Sequence, residues 1–292
     1  MRIVLLLLFL VAANGTRVWA GNEARNYGAG ALAVGGTLLG ARSPLGLYQN
    51  PAFIQDCRLP TVATSVENSF GLAGFNGFAL AGTRPLSPKL SAAAGVHRFG
   101  NSLFGETGLS LAMAAKAGFT TFGAVLQMLS NGFANGQQSS AVSIGMGGKV
   151  QLHSTLALAA AVYNINEPRV ARRQSGERAP ARLSAAILYS FSPKVQSSLQ
   201  VEKHSNQDPN YALGLAYQAL DKVTFRAGFA SKNAAFSGGI GLRLRTFYID
   251  YGASFEGAIG IRQGVTCSFA FPIKQKVPAP SFSESPINEG IL

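Results

Sequence analysis

The chain has 292 residues, of which 13% are charged and 34 are glycine. Apolar residues make up 47% of the chain, which excludes intrinsic disorder as the state of the whole chain. Soluble domains carry about 25% charged residues, so the composition is also atypical of a soluble enzyme. After residue 20, no apolar run approaches the roughly 18 residues that a membrane-spanning helix requires. The remaining structure that can cross a bilayer is a closed β-barrel.

The first residues have the pattern of a secretory signal peptide, which we assign to residues 1–20. An arginine precedes an apolar stretch from Ile3 to Ala13, and Val18-Trp19-Ala20 provides small residues for cleavage. Cleavage after Ala13 is a second option. The apolar stretch is too short to serve as a membrane anchor.

Residues 21–58 are rich in small residues and show no alternation, so we treat them as a segment separate from the strands. From Leu59 to Phe271, by contrast, apolar residues alternate with small or polar ones, which is typical of β-strands. The second face contains Gly, Ser and Ala with few charges. We therefore predict an apolar face toward lipid and a lumen lined by small residues. A soluble β-sandwich is the alternative.

The alternation predicts an all-β fold, a 14-stranded antiparallel transmembrane β-barrel that occupies residues 59–271. An even number of strands is usual in bacterial barrels and brings both chain ends to one side. We place the strands at approximately 61–70, 76–85, 90–99, 106–116, 119–130, 138–151, 155–165, 181–191, 195–204, 210–218, 222–230, 235–244, 246–255 and 258–271.

The predicted connections alternate in length, as in known barrels with short periplasmic turns and longer outer loops. Tight turns follow the even-numbered strands, and longer connections mostly follow the odd-numbered ones. We interpret the longest connection, 166–180, as a solvated outer loop; contact with an anionic leaflet or an acidic partner is the alternative. Its arginines are Arg169, Arg172, Arg173 and Arg178.

The C-terminal residues 272–292 are rich in Pro and Ser and lack periodicity, so we predict a flexible periplasmic tail. The two cysteines, Cys57 and Cys267, lie near strands that a closed barrel would pair. Alternation nevertheless directs Cys267 to lipid, whereas Cys57 belongs to the preceding segment. We therefore predict no disulfide, although an exported protein meets oxidising conditions.

Alternation also places Arg226, Arg243 and Arg262 in the lumen, with Asp250 on the strand between the last two. A charge facing lipid near the bilayer midplane would cost about 2–4 kcal/mol, which favours the inward position. One interpretation is an internal network with Asp250 and with carbonyls of residues 21–58. The other is a site for the carboxylate of an amphipathic ligand, which arginine binds through two parallel hydrogen bonds.

No catalytic or metal-binding motif is present. His97, His153 and His204 are far apart in sequence and have no partners at metal-ligand spacing. The sequence contains no Gly-x-Ser-x-Gly motif and no complete phosphate loop. The net charge of +12 is dispersed rather than clustered with aromatic residues. We therefore predict no enzymatic activity, no cofactor, no metal and no nucleic-acid partner.

Two short motifs resemble a known family. Gly40-Ala41-Arg42-Ser43 and the following Leu47-Tyr48-Gln49-Asn50-Pro51-Ala52 look like the opening segment of FadL-like outer-membrane barrels, with the PorV/PorQ-like branch of Bacteroidota the more similar. Glu106 to Leu111 and Tyr163-Asn164-Ile165 resemble strand elements of that group. The resemblance implies a 14-strand barrel whose segment 21–58 folds into the lumen as a hatch. A periplasmic loop without a plugging role is the alternative.

Within that segment, Asn50 followed by Pro51 favours a turn that would hold the hatch. The FadL-like resemblance implies a passive channel for small hydrophobic or amphipathic compounds in the cell outer membrane. The PorV/PorQ-like resemblance implies the alternative, a structural or accessory barrel of a type IX secretion system. The expected partners are outer-membrane lipid and either a hydrophobic small molecule or secretion-system components.

Overall fold

The computed structural model describes residues 25–72, 74–134, 138–170, 178–257 and 259–272. The assigned signal peptide, Arg172, Arg173 and almost all of the predicted tail lie outside the described residues. Among the described residues, no helix is long and apolar enough to cross a membrane.

The described residues form fourteen strands that close into an antiparallel barrel, in which β14 pairs with β1. The predicted fold class is therefore confirmed, and every strand lies within three residues of its predicted limits. Closure also excludes the alternative β-sandwich. The strands are β1 (Thr61–Ser69), β2 (Asn76–Ser87), β3 (Leu90–Gly100), β4 (Phe104–Ala117), β5 (Thr120–Phe133), β6 (Gln138–His153), β7 (Leu156–Tyr163), β8 (Arg182–Ser192), β9 (Val195–His204), β10 (Asn210–Leu220), β11 (Val223–Ala230), β12 (Ala235–Leu244), β13 (Phe247–Glu256) and β14 (Gly260–Ala270).

The two ends of the barrel differ. Each even-numbered strand from β2 to β12 is joined to the next by two residues, and we call this end the turn end. The start of β1 and the end of β14 lie at the same end, since Thr61 pairs with Ala270. The opposite end, which carries the connections after odd-numbered strands, is the loop end.

Large apolar side chains cover the outside of the barrel, whereas small residues line the inside. On β1, Val62 and Val66 are exposed, and Ala63 and Ser65 between them are buried. Exposed aromatic residues lie near both ends of this apolar belt, as in barrels that sit in a bilayer. They include Phe119, Phe191, Tyr217, Phe247 and Phe271 at the turn end and Phe75, Phe133, Tyr211, Phe236 and Phe255 at the loop end.

The N-terminal segment, which we define as residues 25–58, lies in the lumen. It contains the short helix α1 (Ala29–Ala33) and the 3₁₀ helices η1 (Leu38–Ala41), η2 (Pro44–Tyr48) and η3 (Pro51–Asp56). A barrel of this size encloses more space than its own side chains can fill, particularly where they are small. The segment occupies much of that space, and most of its residues are buried.

The two halves of the N-terminal segment contact different walls. The η2 and η3 helices pack on β1–β6, where Leu47, Tyr48 and Ile54 join the alanines of the inner face in one apolar cluster. The α1 helix packs on β11–β14. A Cβ atom on Gly252 of β13 would lie 2.2 Å from the carbonyl oxygen of Ala29, so the close approach of α1 requires glycine there.

The described flanks of the β7–β8 connection differ from the expected solvated loop. Val170 and Ala179 are 1% and 0% exposed and pack against Leu129 of β5 at the loop end. A backbone bridge joins Arg169 to Arg178 between them. Both flanks of this connection therefore fold over the lumen, because their apolar residues gain burial there that an extended loop would not provide.

Candidate functional site

Three cavities that the N-terminal segment leaves free lie along the β9–β14 wall. A cavity of about 560 Å³ opens at the turn end, and one of about 260 Å³ lies at the loop end. A smaller cavity of about 80 Å³ lies beside α1 and shares Arg226 and Asp250 with the turn-end cavity. All three contain charged side chains, so this side of the lumen is polar although the outer surface is apolar.

The turn-end cavity contains three of the four residues predicted as a ligand site: Arg226, Arg243 and Asp250. Nη1 of Arg226 lies 2.6 Å from Oδ1 of Asp250, so these two charges form an ion pair. The pair is possible because β11 and β13 flank β12, whose Gly241 leaves the gap through which the two side chains meet.

Arg243 is not part of that ion pair. Its guanidinium lies 5.8 Å from the ring centroid of Tyr248, and its side chain is exposed to the cavity. Arg42 and Arg58 of the N-terminal segment line the same cavity, and Arg42 donates a hydrogen bond to Oε1 of Gln196. The turn-end cavity therefore presents arginines from both the barrel wall and the N-terminal segment.

Arg262 lies elsewhere, which corrects the expectation of one arginine group around Asp250. It lines the loop-end cavity, with Nη1 3.2 Å from Glu256 and Nη2 3.8 Å from Glu67. Strand parity correctly predicted an inward direction for all three arginines. It could not give their height along the barrel axis, which depends on the stagger between neighbouring strands.

Asn50 and Pro51 lie at the start of η3, where the sequence predicted a turn. The side chain of Asn50 accepts a hydrogen bond from the Ala52 amide and donates to the carbonyl oxygens of Gly148 and Ala160. Pro51 occupies the first turn of η3, where its missing N–H costs nothing. The pair thus fixes both the local turn and its attachment to β6 and β7.

Sequence reasoning missed two groups that hold the N-terminal segment. Oε1 of Glu67 accepts a hydrogen bond from the Gly28 amide at 2.7 Å. Arg182, which is 1% exposed, donates to the Tyr48 carbonyl at 2.8 Å and to Asn26 at 2.7 Å. Alternation identifies Glu67 and Arg182 as inward-facing, but nothing local to either residue identifies its partner.

The two cysteines have different surroundings and are both free thiols. Cys267 is exposed on the outer face of β14, as its parity predicted. Cys57 borders the turn-end cavity, and burial raises the pKa of its thiol to about 11 from an ordinary value of 9.0. Among the described residues, no three His, Cys, Asp or Glu side chains are grouped to hold a metal ion.

No family model and no curated protein sequence matches this chain. Several solved structures do. The Pseudomonas putida toluene transporter TodX gives a TM-score of 0.62 at 12% identity, over 84% of this chain and 97% of that one. The chain has the fold of FadL-type hydrocarbon channels.

Two further solved structures have a similar fold. The CymD monoaromatic hydrocarbon channel gives a TM-score of 0.65 at 12% identity, over 84% of this chain and 98% of its own. A Pseudomonas aeruginosa FadL homologue gives 0.61 at 12% identity, over 87% and 100%. TodX is described as a toluene transporter and CymD as a monoaromatic hydrocarbon channel, and neither is described as an enzyme. They lend no support to the PorV/PorQ-like branch or to a secretion role.

Proposed function

We propose that this protein is a passive outer-membrane channel for small hydrophobic or amphipathic compounds. The observation that carries the proposal is the closed barrel with an apolar outer belt, whose lumen contains both a packed segment and cavities that open toward each end. The similarity in fold to TodX and CymD supports a transport role, since those proteins are described as a toluene transporter and a monoaromatic hydrocarbon channel.

In this proposal the N-terminal segment is a hatch that restricts passage through the lumen. Its apolar half, around η2 and η3, is anchored on β1–β6. Its other half, around α1, borders the loop-end cavity and the small cavity, whereas the residues after η1 line the turn-end cavity. A solute would therefore pass beside α1, the part of the segment that is held mainly by polar contacts such as Glu67 with Gly28 and Thr266 with Ala29.

The lining of the cavities favours an amphipathic solute with an anionic group over a pure hydrocarbon. Because Asp250 neutralises Arg226, the unpaired charges that line the turn-end cavity are those of Arg243, Arg42 and Arg58 and, of opposite sign, Asp221. An arginine can bind a carboxylate through two parallel hydrogen bonds, whereas a hydrocarbon gains nothing from it. In our proposal Arg243 contacts the ligand, and Arg226 is held in place by Asp250.

Transport into sealed vesicles tests this function. We expect vesicles containing the purified mature protein to take up toluene and octanoate faster than protein-free vesicles of the same lipid. Octanoate entry should be the more sensitive to Arg243→Gln, with toluene entry unchanged as the internal control. Equal uptake of both compounds by protein-containing and empty vesicles would disprove the channel function.

A further inference from the structure

The tight turns at the turn end share a feature that the channel function does not use. Four of these two-residue turns contain an exposed basic residue, which we call a rim cation. The rim cations are Lys89, Lys194, Lys222 and Arg245. Lys194, Lys222 and Arg245 lie on three successive turns, β8–β9, β10–β11 and β12–β13, and Lys89 lies apart from them on the β2–β3 turn.

Each rim cation follows a large apolar side chain that points away from the barrel. The separation is one to three residues, and the apolar side chains are more than half exposed. These residues are Leu86 (53%), Phe191 (65%), Leu220 (65%) and Leu244 (51%). Each turn therefore combines an apolar group on the outer surface with a positive charge a few ångströms further from the belt.

The rim cations also lack partners. None of their side chains forms an ion pair or a hydrogen bond with a described residue. Two aspartates lie near this rim, but Asp56 is paired with Lys149, which leaves Asp221 as the acidic residue beside the turns. At the loop end, by contrast, the amines of Lys203 and Lys232 donate hydrogen bonds to Gln207, and Asp208 lies beside them.

From this arrangement we infer that the turn-end rim binds anionic phospholipids of the membrane leaflet that surrounds it. The apolar side chain of each turn would lie among acyl chains, and the adjacent cation would lie at the depth of the phosphate groups. Each rim cation lies next to an exposed apolar side chain on the outer surface, which is the surface that a leaflet contacts. A soluble acidic partner would not need exposed leucine and phenylalanine beside the charges.

Lipid selectivity of the reconstituted protein tests this inference. The full mature chain is placed in phosphatidylcholine bilayers that contain trace spin-labelled phosphatidylglycerol or spin-labelled phosphatidylcholine. The immobilised fraction of each label is then measured by electron paramagnetic resonance. We expect the protein to prefer phosphatidylglycerol by about threefold or more at low salt. The preference should fall in about 1 M salt, because exposed charges are screened.

Three variants distinguish an effect of the rim cations on lipid preference from effects of net charge and of misfolding. The first, Lys89→Gln, Lys194→Gln, Lys222→Gln and Arg245→Gln together, should lose the preference. The second removes the same number of charges at the loop end by Arg98→Gln, Arg169→Gln, Lys203→Gln and Lys232→Gln, and should keep it. The third, Lys89→Arg, Lys194→Arg, Lys222→Arg and Arg245→Lys, should also keep it. Heat-modifiable migration on gels confirms that each variant is a folded barrel.

Three results would overturn the inference. The first is equal immobilisation of the two lipids by the unaltered protein, and the second is an equal loss in the turn-end and loop-end variants. The third is binding of soluble polyaspartate through the rim cations without any lipid preference, which would assign the rim to an acidic protein. The vesicle uptake of toluene and octanoate does not depend on any of these results, so the two proposals fail separately.

Discussion

The carboxylate of Glu67 on β1 holds the backbone amide of Gly28, 2.7 Å away, at the start of the helix α1 in the lumen. The same carboxylate lies 3.8 Å from Arg262 of β14, so one side chain links the N-terminal segment to the strand seam that closes the barrel. Glu67 therefore contributes both to the position of α1 in the proposed hatch and to the stability of the barrel.

Removing that carboxylate should loosen α1 without opening the barrel. In Glu67→Ala, the Gly28 amide loses an acceptor whose contribution is about 1.5–3 kcal/mol for a charged hydrogen bond. We expect amide hydrogen exchange in Ala29–Ala33 to accelerate by about tenfold or more, since 1.4 kcal/mol corresponds to a factor of ten. Asn68→Ala is the control, because Asn68 is also on β1 but its side chain bonds Leu72 and Asn76. Unchanged exchange in Glu67→Ala would contradict this account.

A methyl group on the β13 wall where α1 packs should displace the helix and increase the permeability of the barrel. In Gly252→Ala, the new Cβ would lie 2.2 Å from the carbonyl oxygen of Ala29, which is closer than any real contact. We expect faster octanoate uptake by vesicles that contain this variant. The matched control is Gly238→Ala on the neighbouring strand, where the nearest atom would be 3.7 Å away. If the two variants behave alike, α1 does not limit passage.

Substitution of Arg262 should affect the stability of the barrel, whereas substitution of Arg243 should affect uptake. Arg262→Gln leaves Glu67 and Glu256 without their cation, and we expect it to lower the heat resistance of the barrel, at a cost of about 1–3 kcal/mol. Arg243→Gln removes no ion pair, so stability should be unchanged and octanoate uptake should fall. The temperature of the gel-mobility transition measures the first effect, and vesicle uptake measures the second. A loss of stability in both variants would place Arg243 in a structural role.

The two thiols should react independently and under different conditions. Without any reductant, we expect alkylation of two cysteines in the unfolded mature chain, because Cys267 faces outward and Cys57 borders the turn-end cavity. In the folded protein, Cys267 should react with a lipophilic maleimide and not with a charged one. If two alkyl groups are added only after reduction, the protein contains a disulfide and the prediction is wrong.

Labelling of Cys57 in the folded protein should depend on pH. Its raised pKa, about 11, means that the neutral thiol dominates at pH 7. The reactive thiolate should increase by about tenfold per pH unit until that pKa is reached. Rates of labelling by a small water-soluble reagent between pH 7 and 10 measure this dependence in a Cys267→Ser variant. A rate that levels off near pH 8 would show that the thiol is not shielded from water.

The sequence by itself determined the number of strands, their approximate limits and the face on which each residue lies. This was possible because side chains of a strand alternate strictly, so the pattern Val62, Ala63, Thr64, Ser65, Val66 is readable from neighbours alone. The inward direction of Arg226, Asp250 and Arg262 followed from the same local rule. The separate nature of residues 21–58 was equally visible, because they lack the alternation.

Only the tertiary structure decided which of those inward groups meet. Arg226 reaches Asp250, whereas Arg262 lies with Glu67 and Glu256 near the other end of the lumen. Arg182 is bonded to Tyr48, 134 positions earlier in the chain. Such contacts depend on the stagger of the strands and on the path of the N-terminal segment through the lumen. Both are global properties of a closed barrel, and neither can be predicted from the residues next to the side chain in the sequence.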